Sequence, residues 1–361
     1  LDEIQKCEDV IHSLWFFKED YPELHVIAAG SLLEFALKNL SSFGVGRVSS
    51  LFVYPMSFDE FLTATRQEGL LRIKRNSSPT NPLPEAFYNR LVEAFRSYML
   101  VGGMPEAVAT YTETGSYRYS SDIVNEIIQG YQDDFAKYGA KANPLLLRQT
   151  LISVAHQAGA KFVCSRVEGQ YRSAEVKVAL EMLKDAGLII PTYHTDANGV
   201  PLGAEINERV VKYLIHDTGV LLGILGIDDD IDERIKEMMV ADSIDLVDKG
   251  HVAEMMAGLE LIKYSSPQTR HQLYYWQNMN KGTCAEVDYV IARSGSIVPI
   301  EVKSGVKGSM SSMYSLMRNP QKHIEMGIRC SLENFGTFAS PDGKKIDIIP
   351  LYAISNLFAE K

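Results

Sequence analysis

A chain of 361 residues with 46% hydrophobic and 23% charged side chains has a globular composition, and its length suggests two or three domains rather than one core. The formal net charge of -10 excludes a surface that is a nucleic-acid footprint throughout, while leaving room for a local basic groove. No apolar run reaches bilayer length and no signal-like start is visible, so a membrane partner is not expected and the cytoplasm is.

Leu1 stands where Met would, inside what reads as a buried strand, so the sequence reads as truncated at its start. Cys7, Cys164, Cys284 and Cys330 lie far apart, with no CxxC pair and no His at ligand spacing, which predicts reduced, buried thiols rather than a zinc site or disulfides.

In chain order, residues 8–17 predict a helix, and residues 25–29 a short buried strand ending at Gly30-Ser31. Residues 51–54 predict a second strand, stopped by Pro55. Ser57 then caps a helix over Phe58, Phe61 and Leu62, with Glu60 at the capping-box position. Strand, helix and strand in this order imply α/β. The Asn, Ser and Pro of residues 75–84 predict a loop, followed by helices over 84–101, 105–112 and about 120–138. A domain joint is expected at 141–144.

Residues 145–216 have the outline of a winged helix. It comprises helices over 146–159 and 173–186, then wing strands over 188–194 and 210–216 joined through Asn198-Gly199. The second helix would read DNA in such a fold, yet its Lys177 and Lys184 face Glu175, Glu181 and Asp185, a balance that neutralises little phosphate charge. The acidic run from Asp228 to Glu233 lacks the Gly and closing Glu of a calcium loop and reads as a solvated turn. From Asp248 a helix with Glu254 and Glu260 precedes strands over 272–277, 285–292 and 297–303.

The clearest chemistry lies in the last two strands. Side chains alternate faces, so Glu286 and Asp288 share one face, as do Glu301 and Lys303. With Ser294-Gly295 as a two-residue turn, Asp288 falls opposite Glu301 and Glu286 opposite Lys303. Like charges directly opposite are unfavourable unless a cation lies between them, and Mg²⁺ or Mn²⁺ would resolve the conflict while activating a bound water that Lys303 orients or deprotonates. The same residues also fit an ordinary hairpin with a wet polar face and a surface pair between Lys303 and Glu286. The pattern D-x(12)-E-V-K with an upstream helical Glu resembles the PD-(D/E)xK nuclease core. The resemblance implies metal binding by Glu254, Asp288 and Glu301 and a catalytic Lys303. Residues 250–259, 275–276 and 286–304 look like the domain of unknown function at the C-terminus of many prokaryotic ATPases, whose members need not cleave DNA. Pro299 departs from the pattern and predicts an edge or bulge in its strand.

At the other end, Leu1-Asp2-Glu3-Ile4 resembles the end of a Walker B strand, although a DE pair opening a helix is equally a favourable N-terminal cap. Further on, Val26 to Ser31 resembles the sensor strand of AAA-type ATPases. Gly46-Arg47 followed by Pro55 to Phe61 resembles their "GR … PLSFxEF" stretch, and Gly102 to Glu106 their "GGxPE" turn. This order of matches implies an ATP- and Mg²⁺-using enzyme in the full-length protein. Asp2 would serve metal and nucleotide, Glu3 catalysis, Ser31 sensing, and Arg47 phosphate contact or an ordinary salt bridge. No GxxxxGK[ST] occurs in these residues, so the chain as given is not expected to hydrolyse ATP.

The resulting expectation is an α/β chain in four parts. Residues 1–65 would be the end of a P-loop AAA-type core, 66–142 a helical lid, 143–247 a winged-helix segment and 248–361 a PD-(D/E)xK restriction-endonuclease-like domain. Three functions stay open: an ATPase fragment, a Mg²⁺-dependent DNA nuclease, and a silent nuclease fold that binds a partner. DNA, a protein and a second copy of the chain are the candidate partners.

Overall fold

The computed structural model describes residues 1–30, 47–136, 143–226, 251–278, 285–305 and 308–358. Ser31, Cys284 and the acidic run at 228–233 lie outside the described residues.

Helix α1 (Glu8–Asp20) is followed by an extended return segment. The Leu1 amino group donates to Ile27 O at 2.8 Å and Ala29 N donates to Leu1 O at 2.9 Å, the parallel pattern that brackets Ala28. Val26 and Ala28 pack on Ile4, Ile11 and Leu14, while Ile27 on the other face is 81% exposed. The strand expected over 25–29 is therefore an extended segment half-buried on one face only. The strand expected over 51–54 is not formed: Phe52 N donates to Pro267 O, and Leu51 and Val53 are exposed. Cys7 is exposed, contrary to expectation, whereas Cys330 is buried.

A helical unit follows, built from α2 (Phe58–Ala64), α3 (Glu68–Arg75), α4 (Glu85–Val101), α5 (Pro105–Thr114) and α6 (Tyr117–Phe135). The capping box forms as the sequence predicts. Ser57 N donates to Glu60 Oε2 at 2.7 Å, and Ser57 Oγ accepts from Glu60 N. Pro105 opens α5, where a missing N–H costs nothing. Phe58, Phe61, Phe95 and Tyr98 form the aromatic core of this unit, with Leu91 buried among the same cluster.

Next come α7 (Pro144–His156), capped by Asn143, and α8 (Ser173–Asp185), then β1 (Ile189–Thr195), β2 (Ile206–Ile215) and α9 (Thr218–Ile224). The hairpin pairs Ile189 with Ile215 in antiparallel register, and Lys161 bridges to Lys212. In α8, Lys184 pairs with Glu181 as its charge balance leads one to expect.

The C-terminal part runs α10 (His251–Lys263), β3 (Leu273–Gln277), β4 (Glu286–Val287), β5 (Tyr289–Arg293), β6 (Ser296–Val302), α11 (Ser311–Arg318), β7 (Met326–Ser331), β8 (Gly336–Ala339) and β9 (Lys345–Pro350). One sheet has the order β5-β6-β7-β9-β8, and β6, β7 and β9 run parallel within it. The other has the order β2-β1-β3-β4, with β1 and β3 parallel. This second sheet joins strands from either side of residues 247 and 248 through backbone hydrogen bonds. Helix α10 is buried from Val252 through Ile262 and packs on β2, β3 and β6. A helix buried on every side belongs inside a core, and this one is the centre of the C-terminal half.

The register of the β5–β6 hairpin is the predicted one, with Arg293 opposite Ser296, and Ser294 and Gly295 both at positive φ. This is the geometry that a two-residue turn needs to match strand twist. Pro299 does not mark an edge, because β6 lies between β5 and β7. Counting from the turn, Pro299 falls at a non-hydrogen-bonded position toward β5, and the ladder to β7 begins only at Ile300. Its missing N–H is therefore not required there.

Gly103 sits so close to Met56 that an added Cβ would lie 2.3 Å from Met56 O, whereas a Cβ at Gly130 in α6 would meet nothing within 4 Å. Gly103→Ala is expected to lower stability by about 1–3 kcal/mol, and Gly130→Ala to raise it by about 0.5–1 kcal/mol. Urea unfolding midpoints of the two variants against the parent check both signs.

Candidate functional site

The carboxylates singled out in the C-terminal part do meet, though not as the hairpin alone suggests. Extending the β5–β6 register one step would set Asp288 opposite Glu301, but the strand breaks at Asp288. Asp288 Oδ2 accepts instead from Val302 N at 2.7 Å. Beyond the break, β4 leaves β6 and pairs with β3, Glu286 opposite Gln277. Glu286 and Lys303 are therefore not partners, in correction of the predicted pairing. Lys303 Nζ donates to Glu301 Oε1 at 2.8 Å, and Glu286 is taken by Lys212.

Lys212 was not anticipated as a site residue. It lies mid-strand in β2, 1% exposed, and its Nζ donates to Glu254 Oε1 at 2.8 Å and Glu286 Oε1 at 2.6 Å. The same ammonium lies 4.9 Å from the centroid of the Tyr275 ring. A signal was present in the sequence: one lysine inside the apolar run Val210-Val211-Lys212-Tyr213-Leu214-Ile215 needs a buried counter-charge.

Burial works against the charge on Lys212, but Glu254, Glu286 and Asp288 together push its pKa up. Burial also disfavours ionised Glu254, yet the Lys212 ammonium and His251 hold that carboxyl below the usual range. Asp288 is pushed well up by burial and then by Glu254 and Glu301, with Lys212 opposing. Burial likewise raises Glu301, with Lys303 opposing. Like charges held close in a poorly solvated space do not all ionise together.

As placed, these residues do not fit a divalent cation. Among the described residues no three His, Cys, Asp or Glu side chains are arranged to hold a metal ion. Glu301 Oε2 is buried without a hydrogen-bond partner, but it offers a single ligand oxygen.

At the N-terminal end, Asp2 Oδ1 accepts from Glu3 N at 2.9 Å, and Glu3 lies 3.5 Å from Lys6. Arg47 Nε donates to the Glu19 carboxylate on α1 at 2.8 Å, which is the salt-bridge alternative. No GxxxxGK[ST] loop occurs in the sequence.

The GGMPE and PMSFDEF stretches meet in one buried junction. Met56 N donates to Gly103 O at 2.7 Å, and Gly103 N donates to Asp217 Oδ2 at 2.7 Å. Tyr98 donates to Glu260 Oε1 at 2.8 Å and accepts from Lys263 Nζ at 2.6 Å. Glu260 also accepts from Phe58 N at the start of α2, at 3.2 Å. Beside it, Lys74 pairs with buried Asp59 and reaches Ser355 Oγ at 2.6 Å. Lys74 is fully buried, and burial lowers its pKa against the pull of Asp59.

Comparison with known families divides the chain along similar lines. A family model described as an AAA domain matches residues 1–62. Two domains of unknown function, DUF8612 and DUF4143, match residues 92–231 and 249–354. The first and last of these are consistent with an AAA-type ATPase-like protein. No curated protein and no solved structure matches the chain. Among the described residues no helix is long and apolar enough to cross a membrane.

Removing one partner of a buried ion pair leaves an unmet charge in the core. Lys212→Ala is expected to cost about 3–5 kcal/mol, whereas Lys303→Ala is expected to cost less, because Lys303 is partly exposed and burial already pushes Glu301 toward its neutral form. Guanidinium unfolding of the two variants tests this ranking; equal costs would contradict it.

Proposed function

We propose that this chain is the part of an AAA-type ATPase that carries nucleotide-driven motion from the ATPase core to a C-terminal binding unit. The observation that carries the reading is the buried junction at Glu260. Phe58 comes from the segment that matches an AAA domain, Tyr98, Gly103 and Asp217 come from the central segment, and Glu260 and Lys263 come from the C-terminal one. The hydrogen bonds from Phe58 N and Tyr98 to Glu260, and from Met56 N to Gly103 O, cross between segments, so displacement of α2 is transmitted to α10 rather than absorbed in a loop. Two-state elements linked through such packed polar contacts are the physical means by which a bound nucleotide biases a distant site.

In the full-length protein, ATP and Mg²⁺ would be held with the help of Asp2, Glu3 would polarise the attacking water, and Ser31 and Arg47 would sense the γ-phosphate. Arg47 would have to leave Glu19 to do so. The helix, bridge, helix and hairpin of residues 144–215 support a winged helix. The order α10, β3, β4/β5, β6, α11, β7 supports a nuclease-like arrangement. We read that C-terminal unit as one that grips DNA or a protein rather than cutting DNA, because Glu254, Glu286 and Glu301 are already paired with lysines.

The test is ATP turnover by the chain extended upstream through a phosphate-binding loop. Mg²⁺-dependent turnover is expected, falling by about 10²-fold or more with Glu3→Gln. Glu260→Gln is expected to leave turnover in place while abolishing its response to the bound partner. An extended chain that folds and binds ATP but never turns it over would overturn the reading.

A further inference from the structure

We infer that the ammonium of Lys212 stands where a nuclease-like core would hold its divalent cation, so that this unit is assembled around a lysine instead of a metal. The inference rests on reading residues 251–331 as nuclease-like, and it is independent of ATP turnover.

The argument begins with where the charges come from. Buried Glu254 is on α10, and half-buried Glu286 and Asp288 lie on β4 and at the break between β4 and β5, three separate elements converging on one cluster. Carboxylates brought together from different elements repel one another and are poorly solvated, so the fold requires a cation among them. Lys212 supplies it from a fourth element, β2, on the far side of the expected domain boundary. Its contacts of 2.8 and 2.6 Å to two carboxylates are those of charge-assisted hydrogen bonds, and Tyr275 closes over the same ammonium.

The lysine cannot swing away cheaply. Its backbone is pinned in register against Thr192 on one side and bridged to Lys161 on the other. Its side chain is 1% exposed, so no solvated alternative lies within reach. The remaining acids are served separately, Asp288 by Val302 N and Glu301 by Lys303. With the acids divided between two lysines and a backbone N–H, no three His, Cys, Asp or Glu side chains among the described residues are placed to coordinate a cation together. The consequence is that β2 and α10 are locked together permanently, whereas a metal would lock them only when bound.

Mn²⁺ titration followed by electron paramagnetic resonance, on the chain as it stands and on Lys212→Met, tests the inference. The parent is expected to show no Mn²⁺ binding that is sensitive to Asp288→Asn, and no change in Tm between EDTA and Mn²⁺. Lys212→Met, with its carboxylates freed, is expected to bind Mn²⁺ at least about tenfold more tightly than the parent and to gain Tm with it. If Lys212→Met does not fold in EDTA, folding restored by Mn²⁺ is the same result read as stability. Parent binding of one Mn²⁺ that Asp288→Asn abolishes would overturn the inference, as would a Lys212→Met variant indifferent to Mn²⁺. Neither outcome bears on ATP turnover, so this inference and the proposed function can fail separately.

Discussion

Helix α10 is buried on every side and still carries two carboxylates, Glu254 and Glu260, one near each end. Ionised carboxylates in a core are costly unless each meets a cation or several donors. The structure answers twice, and with different partners. Glu254 draws in Lys212 from the β1–β2 hairpin, and Glu260 gathers Tyr98 and the N–H of Phe58 from the helical unit beside Lys263 of its own helix. Because each acid takes hydrogen bonds from groups in other segments, the neighbouring units cannot part without weakening the pairing of a buried charge.

This constraint explains why short motifs of unremarkable composition occupy the places they do. Gly103 allows the backbone to approach Met56 where a Cβ would collide, and Gly102 at φ 77° turns the chain beside Asp217. Asp217 then serves two roles at once, capping α9 through Val220 N and receiving Gly103 N. Gly258 plays the same part on α10, where Tyr289 packs so close that its hydroxyl, which donates to Glu254 O, would lie 2.3 Å from an added Cβ. The glycines and the polar groups form a single arrangement, since close backbone approach is what lets so few side chains satisfy the buried acids.

Much of this was legible beforehand. The Ser57–Glu60 capping box, the helix start at Pro105 and the Ser294-Gly295 turn are local, and local chemistry is readable along the chain. The hairpin register followed from the turn as far as Tyr289, because a two-residue loop leaves one pairing. It failed at Asp288, where the strand changes neighbours from β6 to β3, a choice made by α10 and β3 that no hairpin pattern contains. The strands expected over 25–29 and 51–54 were drawn from apolar runs alone, and a run does not say whether a partner strand lies beside it.

By itself the sequence determined the acids and lysines available, their faces along each strand, and the order of segments that resembles an AAA-type ATPase with its C-terminal unit. It also placed a lysine inside an apolar strand at Lys212, which demanded a buried partner without naming one. Only the tertiary structure decided which acid answers which cation. Glu286 met Lys212 instead of Lys303, because the pairing of β1 with β3 carries the hairpin of β1 and β2 up to α10 and β4. Charge pairing in a core is set by distance in three dimensions, and 42 residues of chain separation between Lys212 and Glu254 leave that distance unspecified until the sheet has formed.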